Sequence, residues 1–104
     1  MHTQTLADIQ IRDPFVLPVK EEGTYYLFGT TDTNAWDGQG QGFDCYRSQD
    51  LVQWQGPIPT FRPPSAFWAS TNFWAPEAHA YRGKYYLFAS FKAPRRYRGT
   101  QILV

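Results

Sequence analysis

The hexapeptide Gly23-Thr24-Tyr25-Tyr26-Leu27-Phe28 returns as Gly83-Lys84-Tyr85-Tyr86-Leu87-Phe88, 60 residues further along the chain. Each copy follows a glycine and is dense in aromatic and β-favouring residues, the pattern of a strand leaving a hairpin. The pieces upstream correspond as well. Asp13-Pro14 opens the first unit and Ala75-Pro76 the second, and the stretch before the glycine is two residues longer in the first. A unit of this length with several short strands suits a β-propeller blade, a four-stranded sheet that buries its faces against neighbouring blades. The alternative is a chance likeness between two aromatic strands.

The first unit carries four strand patterns, over residues 14–18, 24–31, 43–48 and 52–56. The third alternates apolar with polar residues, as a half-buried strand does. Residues 33–42 hold three glycines and read as a long loop, and 57–64, with four of the eight prolines, reads as a connector. The second unit begins near Trp74, with a strand over 84–91 and another over 100–104. No segment has a helical period. The expected organisation is therefore a tail over 1–10, a first blade over about 11–60 and a partial second blade over about 73–104. Because the chain stops within an apolar strand, which leaves a sheet edge unpaired, a C-terminal truncation is expected.

Four Trp, seven Tyr and eight Phe make the chain 18% aromatic, and charged residues are also only 18%. A disordered chain has the opposite balance. A net charge of +1 argues against a nucleic-acid or acidic-membrane binder, which needs a strong basic excess. Cys45 stands alone, so neither an internal disulfide nor a cysteine zinc site can form. No apolar run approaches the ~18 residues that cross a bilayer. Residues 1–10 lack the basic head and apolar stretch of a leader, so a cytoplasmic location is expected.

Arg12-Asp13-Pro14-Phe15-Val16, the first Tyr-Tyr-Leu-Phe strand, Ser48-Gln49-Asp50-Leu51-Val52-Gln53-Trp54, and Phe73-Trp74-Ala75-Pro76-Glu77 before the second such strand follow one another in a telling order. This order resembles family 43 of the glycoside hydrolases, which groups β-xylosidases, α-arabinofuranosidases and arabinanases. The resemblance runs from about Ile11 to Val104. It implies an all-β fold, part of a five-bladed β-propeller, with the first blade and most of the second present. It also implies inverting hydrolysis of xylose- or arabinose-containing saccharides, in which one carboxylate activates water and a protonated one expels the leaving group. The family's base, the aspartate of the first Asp-Pro opening, maps onto Asp13. Its acid glutamate and the aspartate that tunes that acid belong to blades beyond residue 104. No cofactor is required. A structural calcium is compatible with an intact propeller, its ligands coming mainly from those further blades.

Each candidate has a plainer reading beside the functional one. Asp before Pro is a frequent turn opener, so Asp13 could serve the turn alone. The resemblance makes Trp74 an apolar wall beside the sugar, whereas Trp and Pro at a strand entry commonly pack and fix the backbone. Glu77 is expected to line the sugar pocket rather than to act as the acid, with structural hydrogen bonding as its alternative. His79 has no His or Cys partner at metal-ligand spacing, and no metal site is expected. Asp50 is expected to bond its local backbone, and Cys45 to pack as a small apolar residue. The cluster Arg95-Arg96-Tyr97-Arg98 reads as a solvated loop or a substrate rim.

The expected function is thus the N-terminal part of a glycosidase. Loss of the general acid alone forfeits on the order of 10²–10⁴ in rate, so this chain by itself is expected to be inactive and to self-associate through exposed sheet edges. The alternative is a non-catalytic carbohydrate-binding β module. In either case the partner is a carbohydrate, without nucleic acid or membrane.

Overall fold

The computed structural model describes residues 3–33, 39–93 and 98–103. Among the described residues eight strands form two antiparallel sheets. The first sheet contains β1 (Thr3–Gln4), β2 (Arg12–Val19), β3 (Thr24–Thr30), β4 (Phe43–Ser48) and β5 (Trp54–Phe61), in the spatial order β1-β5-β4-β3-β2. The second contains β6 (Thr71–Tyr81), β7 (Lys84–Lys92) and β8 (Gly99–Leu103), in the order β6-β7-β8. Among the described residues the only helical turns are two short 3-10 turns, Leu6–Asp8 and Lys20–Glu22.

The repeat is a repeat of structure. β2 pairs with β3 as β6 pairs with β7, and the Phe15↔Phe28 pair of the first sheet stands where Glu77↔Phe88 stands in the second. The two additional residues of the first unit lie in its hairpin turn. Four residues separate the paired Val19 and Thr24, while only Arg82 and Gly83 separate Tyr81 and Lys84. Both turn residues of the second hairpin have positive φ, 49° and 78°. That backbone matches the right-handed twist of the flanking strands, and it explains a glycine at position 83.

Two sequence expectations change. The proline-rich stretch is not a connector from residue 57, because β5 continues through Pro57 and Pro59 to Phe61. Its partner β1 reaches only Trp54 and Gln55, so the far side of β5 is an edge at both prolines and no ladder bond is lost there. The segment expected as a tail supplies β1 and Ile9, which with Ile11 of the first unit packs over Leu27, Tyr46 and Trp54 on the outer face of the first sheet.

The principal core lies between the sheets. Phe28, Phe43 and Cys45 of the first meet Phe73, Ala78, Leu87, Ala89 and Phe91 of the second. Phe43, Phe73 and Phe91 are almost wholly buried, with ring centroids 5.0–6.2 Å apart in tilted and edge-on contacts. Such geometry suits the ring quadrupoles. Phe61 and Phe67 extend the cluster. Leu27 and Leu87, equivalent by the repeat, face the same way in their own sheets. Leu27 lies under the N-terminal segment and Leu87 under the first sheet.

Candidate active site

The start of β2, the end of β3, the start of β4 and the end of β5 lie at one end of the first sheet, because neighbouring strands are antiparallel. Asp13 belongs to that end. Between the pairs Arg12↔Thr30 and Phe15↔Phe28, the two residues Asp13 and Pro14 face the single Gly29, which makes a β-bulge. Asp13 has φ 49° and is exposed. Aspartate tolerates this left-handed backbone better than most residues, and the bulge turns its carboxylate out of the pleat. Gly29 makes the bulge sterically feasible. A Cβ there would lie 2.5 Å from Ile11 Cγ1 and 2.8 Å from the Arg12 carbonyl oxygen.

The second sheet repeats the device. Ala75 and Pro76 face the single Ala89 between Trp74↔Ser90 and Glu77↔Phe88, with Ala75 at φ 50°. The two bulges are joined, since the Ala75 backbone N–H donates to Thr30 Oγ1 at 2.8 Å and Thr30 pairs with Arg12. Asp13 and Trp74 therefore flank one rim where the sheets meet.

Trp74 is half-buried. The guanidinium carbon of Arg98 lies 3.8 Å from its ring centroid, and Arg98 Nη1 donates to the Asn72 carbonyl at 3.1 Å and to Ser90 Oγ at 2.7 Å. Desolvation lowers the Arg98 pKa from its ordinary value, but an arginine remains charged at neutral pH. Glu77 sits beyond the bulge on the open face of the second sheet. Its Oε1 lies 3.3 Å from His79 Nε2, and the His79 ring in turn meets Phe15 at a tilt and Phe88 edge-on. Together with Ala75, Tyr86, Phe88 and Ile102 this pair lines an apolar depression of about 710 Å³.

Asp32 was not singled out from the sequence. It is buried where the chain leaves β3, and its Oδ2 accepts the Gln41 N–H at 2.9 Å. Burial raises its pKa, against the opposing hydrogen bonds from the Gln41 and Gly42 backbone. This contact ties the two ends of the 31–42 loop, of which 34–38 lie outside the described residues. The Gly40 N–H donates to the Ser70 carbonyl, which fastens the loop to the second sheet. Arg62 pairs with Asp44 at 2.6 Å and also donates to the Phe43 and Phe61 carbonyls at the same end.

Of the basic cluster, 95–97 lie outside the described residues. Asp50 does bond its local backbone: its Oδ1 accepts the Val52 and Gln53 N–H groups at 2.9 Å each. Cys45 is buried in the core, and desolvation raises its thiol pKa. Among the described residues no group of three or more His, Cys, Asp or Glu is placed to hold a metal ion.

Two stacked antiparallel sheets with equivalent hairpins, each with its bulge at a shared rim, fit two neighbouring blades of a β-propeller. The comparisons agree. The family model described as Glycosyl hydrolases family 43 matches residues 5–103. The chain belongs to this family, and its all-β fold is part of the family's five-bladed propeller. The structure of an endo-arabinase from Bacteroides thetaiotaomicron superposes with a TM-score of 0.79 at 35% identity, over 94% of this chain and 32% of that one. The extracellular exo-α-(1→5)-L-arabinofuranosidase ArbA of Cellvibrio japonicus is 29% identical over 82% of this chain and 23% of its own length. The extracellular endo-α-(1→5)-L-arabinanase 1 of Bacillus subtilis is 29% identical over 77% of this chain and 24% of its own. This chain thus spans about a quarter of these two curated relatives.

One expectation is corrected here. Both curated relatives are named as extracellular, which overturns the cytoplasmic reading. That reading rested on residues 1–10, of which Thr3–Gln4 form β1 and Ile9 packs on the first sheet, and a segment without a leader pattern does not fix a compartment.

Proposed function

We propose that this chain contributes the base-bearing part of a glycosidase site that cleaves arabinose-containing saccharides with inversion. The carrying observation is the Asp13-Pro14 bulge, which turns an exposed carboxylate out at the rim beside Trp74. In this reading Asp13 takes a proton from water as that water attacks the anomeric carbon, and Trp74 forms the apolar wall of the subsite. Inversion requires a second carboxyl group about 6.5–9.5 Å from the first, to leave room for the water. Glu77 is engaged with His79 and is assigned to pocket lining, not to that acid role. Arabinose rather than xylose is favoured because the named relatives act on arabinose linkages.

A leaving group that departs without a proton isolates the base. α-L-Arabinofuranosyl fluoride is such a substrate, whereas arabino-oligosaccharides need the acid. The chain is expected to hydrolyse the fluoride slowly, to lose that activity as Asp13→Asn, and to leave arabinotriose uncut. Equal fluoride hydrolysis by the wild type and Asp13→Asn would refute the assignment. A binding-module reading draws on one observation, the buried aromatic core that the two sheets close between them. Arabinotriose binding that needs Trp74, with no Asp13-dependent hydrolysis of the fluoride, would favour it.

A further inference from the structure

Arg98 and Trp74 are 24 residues apart in sequence and on opposite sides of β7. The guanidinium crosses that strand to stack on the indole, and Nη1 holds two acceptors that flank it, the Asn72 carbonyl and Ser90 Oγ. The repeat gives the acceptor a meaning. Ser90 stands in the second sheet where Thr30 stands in the first, each opposite the residue before its bulge. Thr30 uses its hydroxyl to fix the bulge at Ala75, whereas Ser90 gives its hydroxyl to Arg98. One hydroxyl position thus positions site elements in both sheets.

We propose that Arg98 is the positioning residue of the Trp74 sugar wall, setting the plane of the indole through its stack and its two tethers. This rests on the reading of Trp74 as that wall. A free indole must be ordered each time a sugar stacks on it, whereas a clamped one is ordered beforehand. Ordering one such side chain on binding weakens affinity by about two- to tenfold. A lysine keeps the charge and has donors enough for both acceptors, which Nη1 alone serves here, but it has no planar face to lie on the ring.

The test uses the full 15N-labelled chain, with the Trp74 indole N–H resonance assigned by Trp74→Phe, and titration with α-(1→5)-arabinotriose. Without sugar, Arg98→Ala and Arg98→Lys are expected to shift or broaden that resonance while the urea midpoint stays unchanged. With sugar, both variants should bind about two- to tenfold more weakly. Should Arg98→Ala fail to fold, Ser90→Ala removes one tether and should move the same readouts in the same direction by less. An unchanged sugar-free resonance overturns the clamp whatever the sugar does. Unchanged affinity in a shifted variant overturns its role in binding. A wild-type indole that ignores arabinotriose overturns the sugar wall and the proposal together, and the sugar-free spectrum then separates a failed wall from a failed clamp.

Discussion

Gly29→Ala tests whether the Asp13 bulge depends on the bare backbone behind it. The added Cβ would sit 2.5 and 2.6 Å from Ile11 Cγ1 and Cδ1 and 2.8 Å from the Arg12 carbonyl oxygen. Ordinary contact begins at 3.4 Å, so the shortfall is 0.9 Å at Ile11 and 0.6 Å at Arg12. The isoleucine side chain can rotate to recover its share. The carbonyl belongs to the peptide that leads into Asp13, and it can move only by deforming the bulge. Overpacking of this kind costs about 1–3 kcal/mol. With a urea m-value of about 1–3 kcal/mol/M for a small protein, the unfolding midpoint should fall by on the order of 1 M. Ile11→Ala in the Gly29→Ala background should recover the side-chain part of the loss but not the backbone part. The double-mutant cycle should therefore show favourable coupling with a residual penalty. Fluoride hydrolysis should fall in Gly29→Ala and stay low in the double variant, because Asp13 has moved. A midpoint within experimental error of the wild type would refute the argument that Gly29 shapes the bulge. So would full recovery by Ile11→Ala, since it would place the whole clash on a side chain.

Three further outcomes follow from the described contacts. Burial raises the Asp32 pKa above its unfolded value near 3.8, so the folded state holds its proton to higher pH and the carboxylate destabilises the fold as pH rises through the folded value. Asp32→Asn should therefore gain on the wild type in urea unfolding between pH 4 and pH 7, and a difference independent of pH would contradict this. Asp50→Ala removes the acceptor of the Val52 and Gln53 N–H groups, so hydrogen exchange at those two amides should accelerate while that of the β3 amides is unchanged. Phe88 and Ile102 are 38% and 50% exposed on the open face of the second sheet, and β8 has a free edge among the described residues. The chain is expected to self-associate in sedimentation velocity, and Phe88→Lys with Ile102→Lys should shift it towards monomer. An unchanged distribution would remove that face as the cause.

The strands were legible in the sequence because their signals are local. The Tyr-Tyr-Leu-Phe runs and the alternation over 43–48 appear in the structure as β3, β7 and β4 nearly residue for residue. The repeat also carried the bulges, since Asp13-Pro14 and Ala75-Pro76 occupy equivalent places with nearly equal φ. What was illegible depended on a neighbour. Two prolines stand in β5 because its outer side is an edge there, and no property of the segment itself says so. Asp32 gave no local sign of burial, because the groups that enclose it arrive from the far end of its loop. Arg98 looked like one arginine of a solvated cluster until β7 placed it beside Trp74.

By itself, then, the sequence determined the strand content, the doubling of the unit and the order of motifs on which the family resemblance rests. Each of these is written in short-range pattern, and hydrophobic period and turn chemistry act within a few residues. Tertiary structure alone decided which end of the sheets forms the rim, that Thr30 ties the two bulges together, and that Ser90 serves Arg98 instead. It also decided that Glu77 turns to His79 on the open face. These are contacts across strands and between sheets, and they exist only once the aromatic core has fixed how the two sheets stack.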